Sequence, residues 1–354
     1  MIFFVTRQYH DYTVANFLQT WARSLIGKVA ILSYEECAFA TRLHRGVYVF
    51  TDFERMRPEQ HELARLMAGQ LARAGCRVLN HPDHVLDRVS LQKKLFAAGM
   101  NSFNAYLDTD DLTQVRFPCF VRRVSAHEGR VSELLHSREE LLAEIRRRRA
   151  AGENDLMITE RIEVRSADGL YRKYGVFRCG DALAPRHVYF SQNWVQNFSD
   201  LVDDAKVGEE AEFVAANPHA EQVRRVFELA GVDYGRIDYG IVDGRVQTWE
   251  INTNPMMMAA PYRLQPPRLP AMARGTERAR QAIEAIDDGI EFSAQRRENW
   301  IGLKIPAKLK SRLGVRSSDA MLRIVGRALG RIGQLPGLKE LVYACHRARW
   351  LAMR

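Results

Sequence analysis

The segment Gly235-Arg236-Ile237-Asp238-Tyr239-Gly240-Ile241-Val242-Asp243-Gly244-Arg245-Val246-Gln247-Thr248-Trp249-Glu250-Ile251-Asn252-Thr253-Asn254-Pro255 reads as two β-strands around an Asp-Gly turn. Ile237, Tyr239, Ile241, Trp249 and Ile251 alternate with polar residues, which gives the hairpin one apolar face. The register decides what shares the other face, because a slip of one residue turns every side chain over. A two-residue Asp243-Gly244 loop pairs Val242 with Arg245 and sends Asp238 and Glu250 to different faces. A three-residue loop, Val242-Asp243-Gly244 with a left-handed Gly244, pairs Ile241 with Arg245 instead. Arg236, Asp238, Thr248, Glu250 and Asn252 then share one face and all five apolar residues take the other. That register separates polar from apolar completely, and it is the expectation adopted. It converges two carboxylates and an amide oxygen beside a guanidinium, hard oxygen donors of the kind that hold Mg²⁺ together with phosphates. The competing reading is a solvated sheet face whose acids happen to line up.

Arg-Ile-Asp, a hairpin, then Glu-Ile-Asn-Thr-Asn-Pro resembles the metal-binding signature of the ATP-grasp superfamily, above all its D-alanine–D-alanine ligase and ribosomal-protein glutamate ligase branches. The resemblance implies that Asp238, Glu250 and Asn252 bind two Mg²⁺ ions on the ATP phosphates, with Mn²⁺ as a substitute. It implies that Arg236 stabilises an acyl-phosphate transition state.

Other segments fall into order around this hairpin. Asp87 to Gly99 reads as a helix closed by Gly99, and Arg88 stands where the family keeps a phosphate-contacting Lys. Phe117-Pro118-Cys119-Phe120-Val121-Arg122-Arg123 resembles the family strand whose Lys binds the α- and β-phosphates, here Arg122. Arginine keeps the charge but grips phosphate as a fork rather than a point. Residues 125–131, with His127 and a single Gly129, replace a glycine-rich lid. Leu156 to Glu163 resembles the hinge strand along which adenine lies, with backbone groups of Glu160, Arg161 and Ile162 on the base and Glu163 on the ribose. Arg172, Lys173 and Arg186 provide cations near the γ-phosphate and acceptor carboxylate that the resemblance implies. Gln192-Asn193-Trp194 matches an Asn-bearing segment of the glutamate ligases only faintly. Met256-Met257-Met258 replaces a usual Gly after Pro255 and leaves the acceptor pocket open to an adaptable apolar wall or to plain core.

The 354 residues allow two or three domains with a sizeable core. Ile2–Thr6, Val29–Leu32, Gly46–Thr51 and Arg77–Asn80 read as strands alternating with helices over Val14–Ser24 and Pro58–Ala74, a small parallel α/β unit over residues 1–84. No Gly-x-Gly-x-x-Gly follows a strand, so a dinucleotide fold is not supported. An α/β ATP-grasp fold of two lobes is expected over 85–290, with a lid lobe at about 103–163, and a basic helical tail over 291–354. Between Arg296 and Arg354 fourteen Lys/Arg face three acids, so the net charge of +9 resides in the tail and the remainder is slightly negative. In Ser318–Gly333, Met321, Leu322, Ile324, Val325, Leu329 and Ile332 form one helical face and Arg323, Arg327 and Arg331 the other. Such a helix suits an anionic membrane surface or a protein partner, or packs on its own chain. Nucleic acid is disfavoured, since charge without a binding motif is weak ground.

Five scattered cysteines with no Cys-x-x-Cys pair, no apolar run of membrane-spanning length and no signal-peptide pattern at the N-terminus point to the cytoplasm, with the inner membrane face as a peripheral station. The expected function is an ATP- and Mg-dependent ligase that joins a carboxylate, free or linked to peptide or sugar, to an amine or thiol through an acyl phosphate. The alternative is a catalytically weak nucleotide-binding module tethered by its tail. The arginines at 88 and 122 and the glycine-poor lid favour that alternative; the full Arg236, Asp238, Glu250, Asn252 set opposes it.

Overall fold

The computed structural model describes residues 1–124, 132–195, 199–257, 265–293 and 295–313. The chain opens with the parallel unit. Strands β1 (Ile2–Thr6), β2 (Val29–Ser33), β4 (Val47–Phe50) and β5 (Val78–Leu79) form a sheet in the order β2-β1-β4-β5, every pair parallel. Parallel strands need crossovers, and helices Tyr12–Thr20, Tyr34–Phe39 and Pro58–Arg73 supply them. They also explain why β1 is apolar at every position but the last. Ile2 and Phe4 pack with Val14, Phe17 and Leu25, while Phe3 and Val5 pack with Leu63, Met67 and Leu71 on the opposite face. The first helix stops at Thr20, four residues short of the expected end, and a 3-10 turn at Arg23–Leu25 replaces its last stretch.

Part of the stretch expected as tail returns to this unit. Strand β13 (Trp300–Gly302) pairs antiparallel with β3 (Arg42–His44), and Ile301, Leu303, Leu309 and Leu313 join the core around Leu63 and Met67. The expected amphipathic segment 318–333, its membrane or protein partner, the lid residues 125–131 and Met258 lie outside the described residues. Among the described residues no helix is long and apolar enough to cross a membrane.

Helix Arg88–Ala97 follows, with Asp87 as its N-cap accepting the Val89 and Ser90 amides at 3.0 and 2.9 Å. Strands β6 (Ala105–Leu107), β7 (Cys119–Arg123) and β8 (Leu156–Glu160) make an antiparallel sheet in the order β6-β8-β7, packed on helix Arg138–Ala150. The largest sheet is antiparallel in the order β10-β9-β11-β12, from β9 (Tyr171–Cys179), β10 (Ala182–Ser191), β11 (Tyr234–Val242) and β12 (Arg245–Asn252). Helix Ala220–Ala230 turns Val223, Val226, Phe227 and Ala230 onto one face of this sheet, against Ile237, Tyr239 and Ile251. The other face is thereby left to the polar side of the hairpin.

Candidate active site

The hairpin β11–β12 closes through a two-residue turn, not the three-residue loop expected. Asp243 and Gly244 both have positive φ, +50° and +73°, and Val242 pairs with Arg245. On its own this would part the two carboxylates. The extra residue sits instead inside β12: Tyr239 pairs with Thr248 but Asp238 pairs with Glu250, so Trp249 is a β-bulge. The bulge restores the parity that the turn removes. Asp238 stands directly opposite Glu250, and Arg236 opposite Asn252.

Two residues change sides as a result. Thr248 was expected on the polar face, yet it pairs with Tyr239 on the apolar side and is fully buried. Trp249 was expected in the core, yet its indole covers Gly240, where a Cβ would come within 2.9 Å of Cζ2. A side chain at 240 would leave this ring no room.

A row of facing residues crosses all four strands. Asp238 pairs with Gly175 on β9, and Gly175 with His187 on β10. Because Gly175 has no side chain, the His187 ring lies over it, 2.4 Å from where a Cβ would stand. Sequence reading missed His187. The signal was Gly175 itself, since a lone glycine within a strand often marks a close approach.

Cations gather on the acids. The Arg236 guanidinium grips Asp238 with Nε at 2.7 Å and Nη2 at 3.1 Å, and Lys173 Nζ lies 3.6 Å from the same carboxylate. Arg88 donates to Glu250 Oε2 at 2.5 Å, so it is a buried partner of the site rather than an exposed first-turn residue. Arg122 extends from β7, where the charges of Arg88 and Glu250 act on it. Arg186 donates to the Met257 carbonyl, and its buried Nη1 finds no hydrogen-bond partner among the described residues. The Asn252 side-chain oxygen accepts the Asn254 amide at 2.9 Å.

The electrostatics follow from this crowding. Burial works against charge on Asp238, but Arg236 and Lys173 outweigh it and hold the carboxyl well below its usual range. Burial, then the repulsion of Arg236, pushes Arg186 down to about 10. Burial and Arg88 likewise push Arg122 down to about 10. Burial, reinforced by Arg236, keeps the His187 imidazole uncharged. Arg88, Arg122, Lys173, Arg186 and Arg236 are five cations facing two carboxylates.

The residues expected as the hinge behave differently from one another. Glu160 is buried and saturated: its carboxylate accepts Arg116 Nε at 3.0 Å and the amides of Arg116 and Asn104 at 3.0 and 2.9 Å. The Glu160 and Arg161 amides donate to the Asn104 and Pro118 carbonyls. Glu163 is exposed and ion-paired to Arg161 at 2.9 Å.

Past the hairpin, the chain plugs into the end of the parallel sheet. Glu54 accepts the Thr253 amide at 2.5 Å and its hydroxyl at 3.0 Å, and Thr13 donates to Asn254 at 2.6 Å. Burial pushes the Glu54 carboxyl up to about 7. This anchoring residue was also missed, because a single Glu after a strand carries no pattern.

No protein-family model matches the chain, and no curated protein matches it. Solved structures do. D-alanine–D-alanine ligase from Bacillus anthracis complexed with ATP is 14% identical, with 79% of this chain and 98% of that one covered at a TM-score of 0.44. A RimK-domain ATP-grasp protein from Sphaerobacter thermophilus is 11% identical over 82% and 100%, TM-score 0.46. The macrocyclase MdnC from Microcystis aeruginosa, bound with precursor peptide MdnA, is 14% identical over 78% and 98%, TM-score 0.44. These solved structures are ATP-grasp ligases, and this α/β chain is similar to them.

Proposed function

We propose that the chain is an ATP- and Mg²⁺-dependent ligase that joins a carboxylate to an amine or thiol through an acyl phosphate. One observation carries the reading: a β-bulge sets Asp238 and Glu250 side by side amid five cations. The donor chemistry fits the metal. Asp238, Glu250 and Asn252 offer hard oxygens, each carboxylate keeps lone pairs beyond those its cations use, and phosphate and water would complete the shell. Bound Mg²⁺ would neutralise charge on the transferring phosphoryl group.

The protein residues divide the work. Arg88 and Arg122 hold the α- and β-phosphates. Lys173, Arg186 and Arg236 surround the γ-phosphate and the substrate carboxylate, whose oxygen attacks phosphorus as ADP leaves. The amine then takes the acyl carbon and phosphate departs. The carboxylate is small or carried on a peptide or sugar, and screening ADP release over acids and amines identifies the pair.

Two variants test the reading. Glu250→Gln keeps volume but removes one negative charge, so Mg-ATP affinity by calorimetry and turnover by ADP release both collapse. Arg236→Ala leaves the metal ligands in place, so Mg-ATP still binds while the chemical step slows on the order of 10²–10³-fold. A Glu250→Gln protein that binds and turns over Mg-ATP like the parent refutes the ligase.

A further inference from the structure

We propose that Gln92, backed by Asn101, is a positioning residue for the metal site: it holds the β-bulge at Trp249 and so keeps Glu250 opposite Asp238; this rests on the ATP and Mg²⁺ reading above. In an unbroken strand successive carbonyls turn to opposite edges. Thr248 and Trp249 break that alternation. Gln92 Nε2 donates to the Thr248 carbonyl at 2.9 Å and to the Trp249 carbonyl at 2.6 Å. One amide nitrogen reaches two consecutive carbonyls only where the strand is irregular, and Trp249 is the residue that the bulge adds. β12 is the outer strand of its sheet, so side chains rather than another strand take these groups.

The local sequence places both side chains. Arg88 and Gln92 stand four apart on helix Arg88–Ala97 and so share a face, and Arg88 donates to Glu250, the residue after Trp249. One helix face thus grips the carboxylate and the backbone just before it. Gly99, at φ +64°, turns the chain back past the helix end, and the Asn101 amide returns to the Leu95 carbonyl at 3.1 Å. Asn101 Oδ1 then accepts the Thr248 amide at 2.8 Å, while its Nδ2 donates to the Thr248 carbonyl at 2.9 Å and to Gln92 Oε1 at 2.8 Å. Gln92 and Asn101 are 1% and 3% exposed, and both hydrogens of each amide nitrogen find an acceptor. A slip of β12 by one residue would turn a carbonyl away and leave a buried donor unpaired, so the network admits one register. The bland account makes the pair mere packing, and then its loss acts on stability alone.

Calorimetry of the full chain with ATP, in Mg²⁺ and in EDTA, separates the two accounts. Gln92→Met keeps the volume and withdraws the donor, so Mg-ATP binds on the order of 10–100-fold more weakly, the usual cost of losing a residue that orients a metal ligand. ATP in EDTA scarcely weakens. Leu71→Ala, which empties a fully buried place in the first core, is the control for lost stability and leaves both affinities near those of the parent. Should Gln92→Met melt below the working temperature, Asn101→Asp takes its place. It keeps Oδ1 for the Thr248 amide and withdraws the Nδ2 donor, and its Mg-ATP affinity falls in the same way. Mg-ATP affinity equal to that of the control, or equal weakening in Mg²⁺ and in EDTA, overturns the positioning role while the ligase stands. A parent chain that binds no Mg-ATP overturns the ATP reading itself.

Discussion

Gly175 and Glu54 show how single residues shape the site from outside it. A Cβ at Gly175 would lie 2.4 Å from His187 Cε1 and 2.5 Å from Nε2. The ring cannot easily retreat, because it is stacked on Tyr189 at 3.9 Å with an interplanar angle of 9°, and Lys173 and Arg268 flank Tyr189 in turn. Gly175→Ala therefore overpacks the row and costs about 1–3 kcal/mol, seen as a lower urea midpoint. Turnover falls too, since the His187 ring must leave its place over Gly175, the residue paired with Asp238. Glu54 makes a pH-dependent contribution of definite sign. Burial raises its carboxyl from 4.5 to about 7, so the folded chain binds that proton more tightly than the unfolded one. Its contribution to stability is greatest below about pH 4.5 and is lost as pH rises through about 7. Glu54→Gln keeps the acceptor to the Thr253 amide but cannot ionise. Denaturation at a series of pH values then shows the variant gaining on the parent between those limits, and a constant difference would place Glu54 in solvent.

At the level of the element, the hairpin separates what a pattern of residues can reveal from what it cannot. Alternation revealed the apolar face, and Asp243-Gly244 revealed the turn and the positive φ of Gly244. The neighbouring carboxylates were legible as well. The position of the odd residue was not, because loop and bulge leave the same count between Asp238 and Glu250, and periodicity counts residues rather than hydrogen bonds. Gly240 held the missing information, as the space for the indole. Two substitutions separate the roles. Gly244→Ala meets no atom within 4 Å, so it costs only backbone strain, about 1 kcal/mol, with little loss of turnover. Gly240→Ala strikes the Trp249 ring and disturbs the bulge that aligns Asp238 with Glu250, so ADP release falls along with stability. Equal turnover in the two variants would show that the bulge does not set the site.

Across the whole molecule, the alternation of strands and helices made the parallel unit legible, while its closing pieces were not. A three-residue strand such as β13 is too short to carry a period, and its partner β3 is no longer. A chain cut after Asn299 loses Ile301, Leu303, Leu309 and Leu313 from the first core, whereas a cut after Leu313 spares them. Only the first cut should lower the melting temperature markedly. Asn80, fully buried with φ +55°, is one of the bridges between the first sheet and the largest one. Its Nδ2 donates to the carbonyls of Phe50 and Tyr234 at 2.9 and 2.7 Å, and its Oδ1 accepts the amides of Asp233 and Tyr234 at 2.7 and 2.9 Å. One side chain thus satisfies the backbone at the end of β4 and at the start of β11, the strand that carries Arg236 and Asp238. Asn80→Ala strands those groups away from water and also places a Cβ-bearing residue without a polar side chain in the left-handed region. Each stranded group costs about 1–3 kcal/mol, and because such costs do not add fully, the loss is roughly 3–5 kcal/mol. Calorimetric melting should show one transition at much lower temperature, with Mg-ATP binding weakened although residue 80 touches no site residue. Melting like that of the parent would mean that the two sheets are held by other contacts and that β11 needs no clamp from the first.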